Sequence, residues 1–216
     1  MQDLIKQEQF EIEVLDRLKS GRFLEKVVFT GGTMLRLCYG LNRYSVDLDF
    51  WIVKEIDMEK LFKELRKYLS GFYTIKDSMN KFYTIVIELK KTGYSRSLKI
   101  EIRKEKRKIK TEQAIAYSKN SNIQVLLKTA GLEEMMKSKI DAFLSRKEIR
   151  DIFDMEFLFK KGVPLNASPD TLEKIGKEID SLTKKDYTVK LGSLLSKEER
   201  EYYNKENFKI IRMQLK

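Results

Sequence analysis

Up to about Asn120 the apolar residues of this chain come in short runs of strand length broken by glycines, whereas from Leu132 to about Phe159 they recur at helical spacing. This change of period predicts the α+β class, a mixed sheet with flanking helices followed by a mainly helical C-terminal lobe. We place the lobes at residues 1–115 and 116–216, with the join inside residues 112–122. A chain of 216 residues is long enough to bury a core in either arrangement, one medium domain or two small lobes.

Within the first lobe, Leu4, Ile5, Ile12, Leu15 and Leu18 predict an opening amphipathic helix that stops before Gly21. Leu24 to Thr30 reads as a short buried strand, Gly31-Gly32 as a tight turn, and Thr33 to Tyr39 as one or two helical turns ended by Gly40. Val46 to Val53 reads as a second strand. Strand alternation puts Asp47 and Asp49 on one face, with Val46, Leu48 and Phe50 on the other. A helix capped by Asp57 over residues 57–69 follows, then a hairpin of Phe82–Leu89 and Leu98–Ile102 around Thr92-Gly93. On the return strand Lys99, Glu101 and Arg103 share a face. In the second lobe, Gly162 and Pro164 stop the long helical run, Pro169 opens a helix behind Ser168, and Ser196 with Glu199 forms a capping box.

The chain contains no histidine, which removes serine–histidine triads, histidine-ligated zinc and histidine general bases at once. Chemistry must run on carboxylates, lysines, hydroxyls or metals held by oxygen. The single cysteine, Cys38, cannot form an internal disulfide, and no apolar run is long enough to span a bilayer, so a soluble, cytoplasmic protein without membrane contact is expected. The net charge of +11 is concentrated: residues 90–110 hold ten Lys or Arg against Glu101 and Glu105, a net +8. Such a tract suits a polyanionic partner through counterion release, and it equally suits a solvated face of a lysine-rich protein.

Two carboxylates at i and i+2 on a strand, with a third from a neighbouring strand, make an oxygen cage suited to Mg²⁺ that leaves positions open for water and phosphate. Asp47, Asp49 and Glu101 are that candidate metal set. Gly31, Gly32 and Thr33 offer backbone N–H groups and a hydroxyl to phosphates at a helix start. Farther on, Lys139, Arg146, Arg150 and Asp154 follow spacings of seven, four and four, which put them on one helical face if the segment runs unbroken. By spacing alone that stripe reads as a solvated, salt-bridged face.

The order Gly31-Gly32-Thr33, Leu35-Arg36, Tyr39-Gly40, Arg43, Ser45, Asp47-Leu48-Asp49-Phe50 resembles the AbiEii-type nucleotidyltransferases, toxins of two-gene toxin–antitoxin and phage-defence systems within the DNA polymerase beta-type superfamily. A second block extends the resemblance: Glu134, Lys139, Ala142, Arg146, Arg150-Asp151 and Phe153-Asp154 look like the family's helical motifs. The resemblance implies a polymerase beta-type nucleotidyltransferase lobe before a helical lobe, with NTP and Mg²⁺ dependence. For several members it also implies transfer of nucleotides to tRNA 3′ ends, and a cognate antitoxin is the implied partner. Carried over residue by residue, Asp47 and Asp49 are metal ligands and Glu101 stands where most superfamily members have Asp. Its extra methylene leaves open a pairing with Lys99 or Arg103 instead. Lys139 and Asp154 are assigned catalytic roles, the acid orienting the lysine or acting on the acceptor hydroxyl. Arg43, Ser45, Arg146 and Arg150 are assigned to nucleotide phosphates. Alternatives that remain are nucleotidylation of a protein or small-molecule hydroxyl, an antibiotic for instance, and a nonenzymatic nucleotide- or RNA-binding module.

Overall fold

Seven strands form one mixed sheet in the computed structural model, which describes residues 2–215. Along the chain come α1 (Gln2–Ser20), β1 (Val28–Thr30), α2 (Gly31–Tyr39), β2 (Asp47–Ile52) and α3 (Met58–Ser70). They are followed by β3 (Thr74–Asn80), β4 (Thr84–Lys90), β5 (Leu98–Lys106), β6 (Thr111–Ala116) and β7 (Val125–Ala130). The strand order is β3-β4-β5-β2-β1-β7-β6, parallel at β2/β5 and β1/β7 and antiparallel elsewhere. This first unit comprises the chain up to Gly40 and Tyr44–Gly131.

The register sorts the side chains of the central strands into two faces. Leu48 on β2 lies opposite Ile100 on β5, which lies opposite Ile87 on β4, and all three are fully buried. Burying each such side chain stabilises the fold by about 1.5–3 kcal/mol. One residue along, Asp49, Glu101 and Val86 form the corresponding row on the other face, and Asp47, Lys99 and Glu88 form the next. All six are only partly buried. A sheet with one packed face and one open face must alternate in this way.

Several elements differ from expectation. The strand expected at Leu24–Thr30 is confined to Val28–Thr30, because Phe23–Glu25 form a 3₁₀ turn behind Arg22 at φ 59°. Strands β3 and β6 are the two outer strands of the sheet, and their largely exposed, polar sequences carry little apolar alternation to reveal them. Because β6 and β7 pair with each other and β7 joins β1, the sheet unit continues to Gly131, past the boundary expected near residue 115. Asp57 caps α3 as expected, accepting a hydrogen bond from Lys60 N at 2.9 Å.

The second unit comprises Leu41–Arg43 and the chain from Leu132 onward. Its helices are α4 (Leu132–Arg146), α5 (Ile149–Lys160), α6 (Pro169–Asp180), α7 (Lys197–Glu206) and α8 (Lys209–Arg212), around a core that includes Phe143, Ile152, Phe153, Ile175 and Phe208. Ser168 and Ser196 each accept the capping hydrogen bond, from Thr171 N and Glu199 N, at 3.3 Å. The run expected as one helix from Leu132 to Phe159 is two helices, because Lys147 adopts a left-handed conformation at φ 55°. Among the described residues, no helix is long and apolar enough to cross a membrane.

The break at Lys147 generates a prediction. Proline cannot adopt a positive φ and would also delete the hydrogen bond from Lys147 N to Phe143 O. Lys147→Pro should therefore lose about 3 kcal/mol or more of unfolding free energy in urea titration, while Lys147→Gly stays within about 1 kcal/mol of wild type. Equal stability of the two variants would rule out the left-handed turn.

Candidate active site

At the end of β1, Thr30 lies opposite Asp49 of β2, and the chain turns at once into α2. Gly31 makes this turn at φ 79°, and the Asp49 side chain rests against it so closely that a Cβ at position 31 would collide with the Asp49 carboxylate and lie 2.9 Å from the Asp49 Cβ. Only glycine satisfies both conditions. Thr33 is fully buried and donates its hydroxyl hydrogen to the Asp47 carbonyl at 2.5 Å. That hydroxyl ties α2 to the start of β2, which corrects the expectation that it is offered to phosphate. Gly32 is buried, and Ser45 is partly exposed ahead of the acids.

On β5, Glu101 lies opposite Asp49 and pairs with Lys99 of its own strand. Its carboxylate accepts the Lys99 ammonium at 2.7 Å, and the same ammonium lies 3.6 Å from Asp47 Oδ2. Burial works against the Lys99 charge, but the Glu101 hydrogen bond and the charges of Asp47, Glu101 and Asp49 outweigh it and raise its pKa. Among the described residues no three acidic or cysteine side chains are arranged to hold a metal ion. The three-carboxylate cage is thus not assembled in this conformation: the longer Glu101 arm takes the pairing with Lys99. The chemistry of Asp47 and Asp49 still fits a divalent cation, since Mg²⁺ is commonly held by one or two carboxylates plus substrate phosphates.

Two buried acids behind this face carried no signal in the sequence beyond their place on an amphipathic helix. Glu8 of α1 accepts from Arg36, Ser118 and Asn120, the Arg36 guanidinium also lying 3.8 Å from the Tyr44 ring. Glu11 is fully buried, and among the described residues neither of its carboxyl oxygens has a hydrogen-bond partner. Burial first, then the negative charges of Glu8 and Asp47, push the Glu11 carboxyl well above its ordinary value, with Arg36 opposing.

In the second unit the residues of the later motif converge by a route other than a helical stripe. The turn at Lys147 folds α5 back on α4, so the motif residues meet across the pair. Arg43 is buried and grips Asp154 with two hydrogen bonds of 2.7 Å. Lys139 lies 2.7 Å from Asp154 and 3.3 Å from Asp151, and Arg146 binds Asp151 twice at 2.6 Å. Burial alone would raise the Asp154 carboxyl, but Arg43 and then Lys139 hold it below the ordinary value. Asp154 has no exposed surface, and its carboxylate is taken up by Arg43 and Lys139. Arg43, expected to reach phosphate, is spent on Asp154. Arg146 keeps about half of its side chain exposed, and Arg150 is partly exposed. A depression of about 410 Å³ elsewhere in this unit, lined by Lys184, Tyr187, Thr188, Asn204 and Asn207, contains no carboxylate and none of the motif residues.

The fold is that of solved nucleotidyltransferase-like proteins. JHP933 from Helicobacter pylori superposes with a TM-score of 0.58 at 23% identity, over 96% of this chain and 93% of that one. A candidate nucleotidyltransferase from H. pylori superposes with the same score at 22% identity, over 96% of both chains. No curated protein matches the sequence. The profile of the family described as nucleotidyl transferase AbiEii toxin, type IV TA system, matches residues 13–209. The chain belongs to the AbiEii family and is a nucleotidyltransferase.

Two variants test this description. Asp154→Asn leaves Arg43 and Lys139 buried with one counter-charge fewer and should cost about 3–5 kcal/mol of unfolding free energy; a loss below about 1 kcal/mol would remove the network from the fold's supports. For Glu11 the folded-state pKa is raised, so the stabilisation by its neutral form is complete below the unfolded value and is lost as pH rises through the folded value. Measured in chelator by urea titration, the stability of Glu11→Gln should therefore gain on wild type as pH climbs from the ordinary carboxyl range. A pH-independent difference would show that Glu11 ionises normally.

Proposed function

We propose that this enzyme transfers the NMP unit of an NTP to the 3′ hydroxyl of an RNA, with tRNA as the acceptor class and a cognate antitoxin as its regulator in a cytoplasmic toxin–antitoxin pair. The observation that supports it is the open sheet face on which Asp47 and Asp49 stand beside the Gly31 turn, with Asp49 in contact with it. Asp47 and Asp49 would hold Mg²⁺, which supplies charge neutralisation of the triphosphate and activation of the attacking hydroxyl when bound. The Gly31-Gly32 backbone at the start of α2 receives phosphate oxygens at the positive end of a helix. Lys99, kept charged by Glu101, offsets negative charge on the transferred phosphoryl group. Glu101 in this reading serves Lys99 first and the metal only if that ion pair opens.

The RNA acceptor rests on the charge of the same unit. Of the ten cations in residues 90–110, Lys91, Lys99, Lys106 and Arg107 have acidic partners. Among the described residues the other six, Lys90, Arg96, Arg103, Lys104, Lys108 and Lys110, have none. Cations without internal partners are the ones available to a phosphate backbone.

Incubation with Mg²⁺, each α-labelled NTP and total tRNA should label tRNA. Asp47→Ala/Asp49→Ala and Gly31→Ala should each reduce labelling by roughly a hundred-fold or more, the glycine variant because its methyl group displaces Asp49. NTP binding without labelled RNA would redirect the assignment to a protein or small-molecule hydroxyl, and absence of NTP binding would overturn the site.

A further inference from the structure

We infer that the tip of the β3–β4 hairpin, Lys81-Phe82-Tyr83, together with Arg103 and Lys104 of β5, is a platform for the unpaired bases of a single-stranded RNA end. This inference rests on the RNA-acceptor reading and names the surface that receives the acceptor.

The connection between β3 and β4 is tight: Lys81 N donates to Thr84 O at 2.9 Å, leaving Phe82 and Tyr83 as its two central residues. Such positions ordinarily go to Gly, Asn, Asp or Pro, whose backbone preferences suit a turn. Here they carry two aromatic rings that contribute nothing to the core, being 83% and 76% exposed. The rings touch each other edge to face, with centroids 4.6 Å apart and planes at 85°. The tip is anchored as well as exposed, because Lys104 N donates to Tyr83 O at 3.0 Å and Thr84 pairs with Arg103. The exposed face of an aromatic ring is what a base can stack on, and every base has such a face.

The charge around the rings fits the same ligand. Among the described residues the side chains of Lys81, Arg103 and Lys104 make no hydrogen bond or ion pair, and the nearby acids are already engaged, Glu59 by Asn80 and Lys63 and Glu105 by Arg107. An acidic protein partner would also feel these cations, but the pairing of exposed rings with unpaired cations on a chain of net charge +11 favours a polymer that alternates bases and phosphates. Position agrees: Arg103 stands two residues along β5 from Glu101, which lies opposite Asp49. By strand rise and spacing the Tyr83 backbone is about 14 Å from that of Asp49 and about 19 Å from that of Asp47, within reach of the last few nucleotides of a strand whose terminal hydroxyl meets Asp47 and Asp49.

The test is fluorescence anisotropy with a labelled single-stranded 12-mer RNA, alongside NTP binding and tRNA labelling. Phe82→Ala/Tyr83→Ala should weaken RNA binding about ten-fold or more while NTP binding is unchanged. Phe82→Trp/Tyr83→Trp should retain RNA binding, and Lys81→Ala/Lys104→Ala should flatten the dependence of log affinity on log salt by about 1.4. Wild-type affinity in the alanine pair would overturn the platform and leave the RNA acceptor standing, whereas absence of RNA binding and tRNA labelling by the wild type would overturn both. Loss of binding to a cognate antitoxin with RNA affinity intact would make the tip a protein-docking surface and overturn the inference.

Discussion

Asp49 leans on the backbone of Gly31 more closely than any Cβ would permit, and the first unit is arranged around that contact. It requires β1 and β2 to be antiparallel neighbours with Thr30 opposite Asp49, and it requires the chain to turn into α2 one residue later. Thr33 then ties the helix to the Asp47 carbonyl, so both acids are referenced to the same helix start. An acid pair built on a strand and braced in this way is held in a defined position, and positioning and electrostatics are what nucleotidyl transfer depends on.

Charge is handled differently in the two units. In the first, the open face carries carboxylates beside Lys99, while Glu11 is fully buried and, among the described residues, has no hydrogen-bond partner for either carboxyl oxygen. In the second, three cations and two carboxylates interlock as Arg43–Asp154–Lys139–Asp151–Arg146, with both aspartates fully buried. Such a network is not a source of large net stability, since desolvation offsets attraction, but removing one member exposes the full cost of the others. Its consequence is orientation: Lys139 is held between two carboxylates, and Leu41–Arg43 is anchored through Asp154.

How much could be read in advance depended on burial. Strands β2, β4 and β5 alternate apolar and polar residues because one face is packed, and their presence is plain in the sequence. The edge strands β3 and β6 are defined by backbone hydrogen bonds to one neighbour, which leave little mark on side-chain choice. Asp47, Asp49 and Gly31 were legible as a group because strand period and glycine chemistry are local. Arg43, Asp151 and Asp154 were legible as residues of a motif but not as a buried network, since nothing in their spacing reports a turn at Lys147 that folds one helix onto the other.

The sequence by itself determined the α+β order, the acid pair on one strand face, the glycine turn and the exclusion of histidine chemistry, because each follows from residue identity and short-range geometry. Tertiary structure decided that Glu101 pairs with Lys99, that Thr33 bonds the Asp47 carbonyl and Arg43 bonds Asp154, that Glu11 lies fully buried and that Phe82 and Tyr83 stand exposed at a hairpin tip. These outcomes depend on which side chains far apart in the chain compete for the same partner or the same shelter from water, and that competition exists only once the strands and helices have packed.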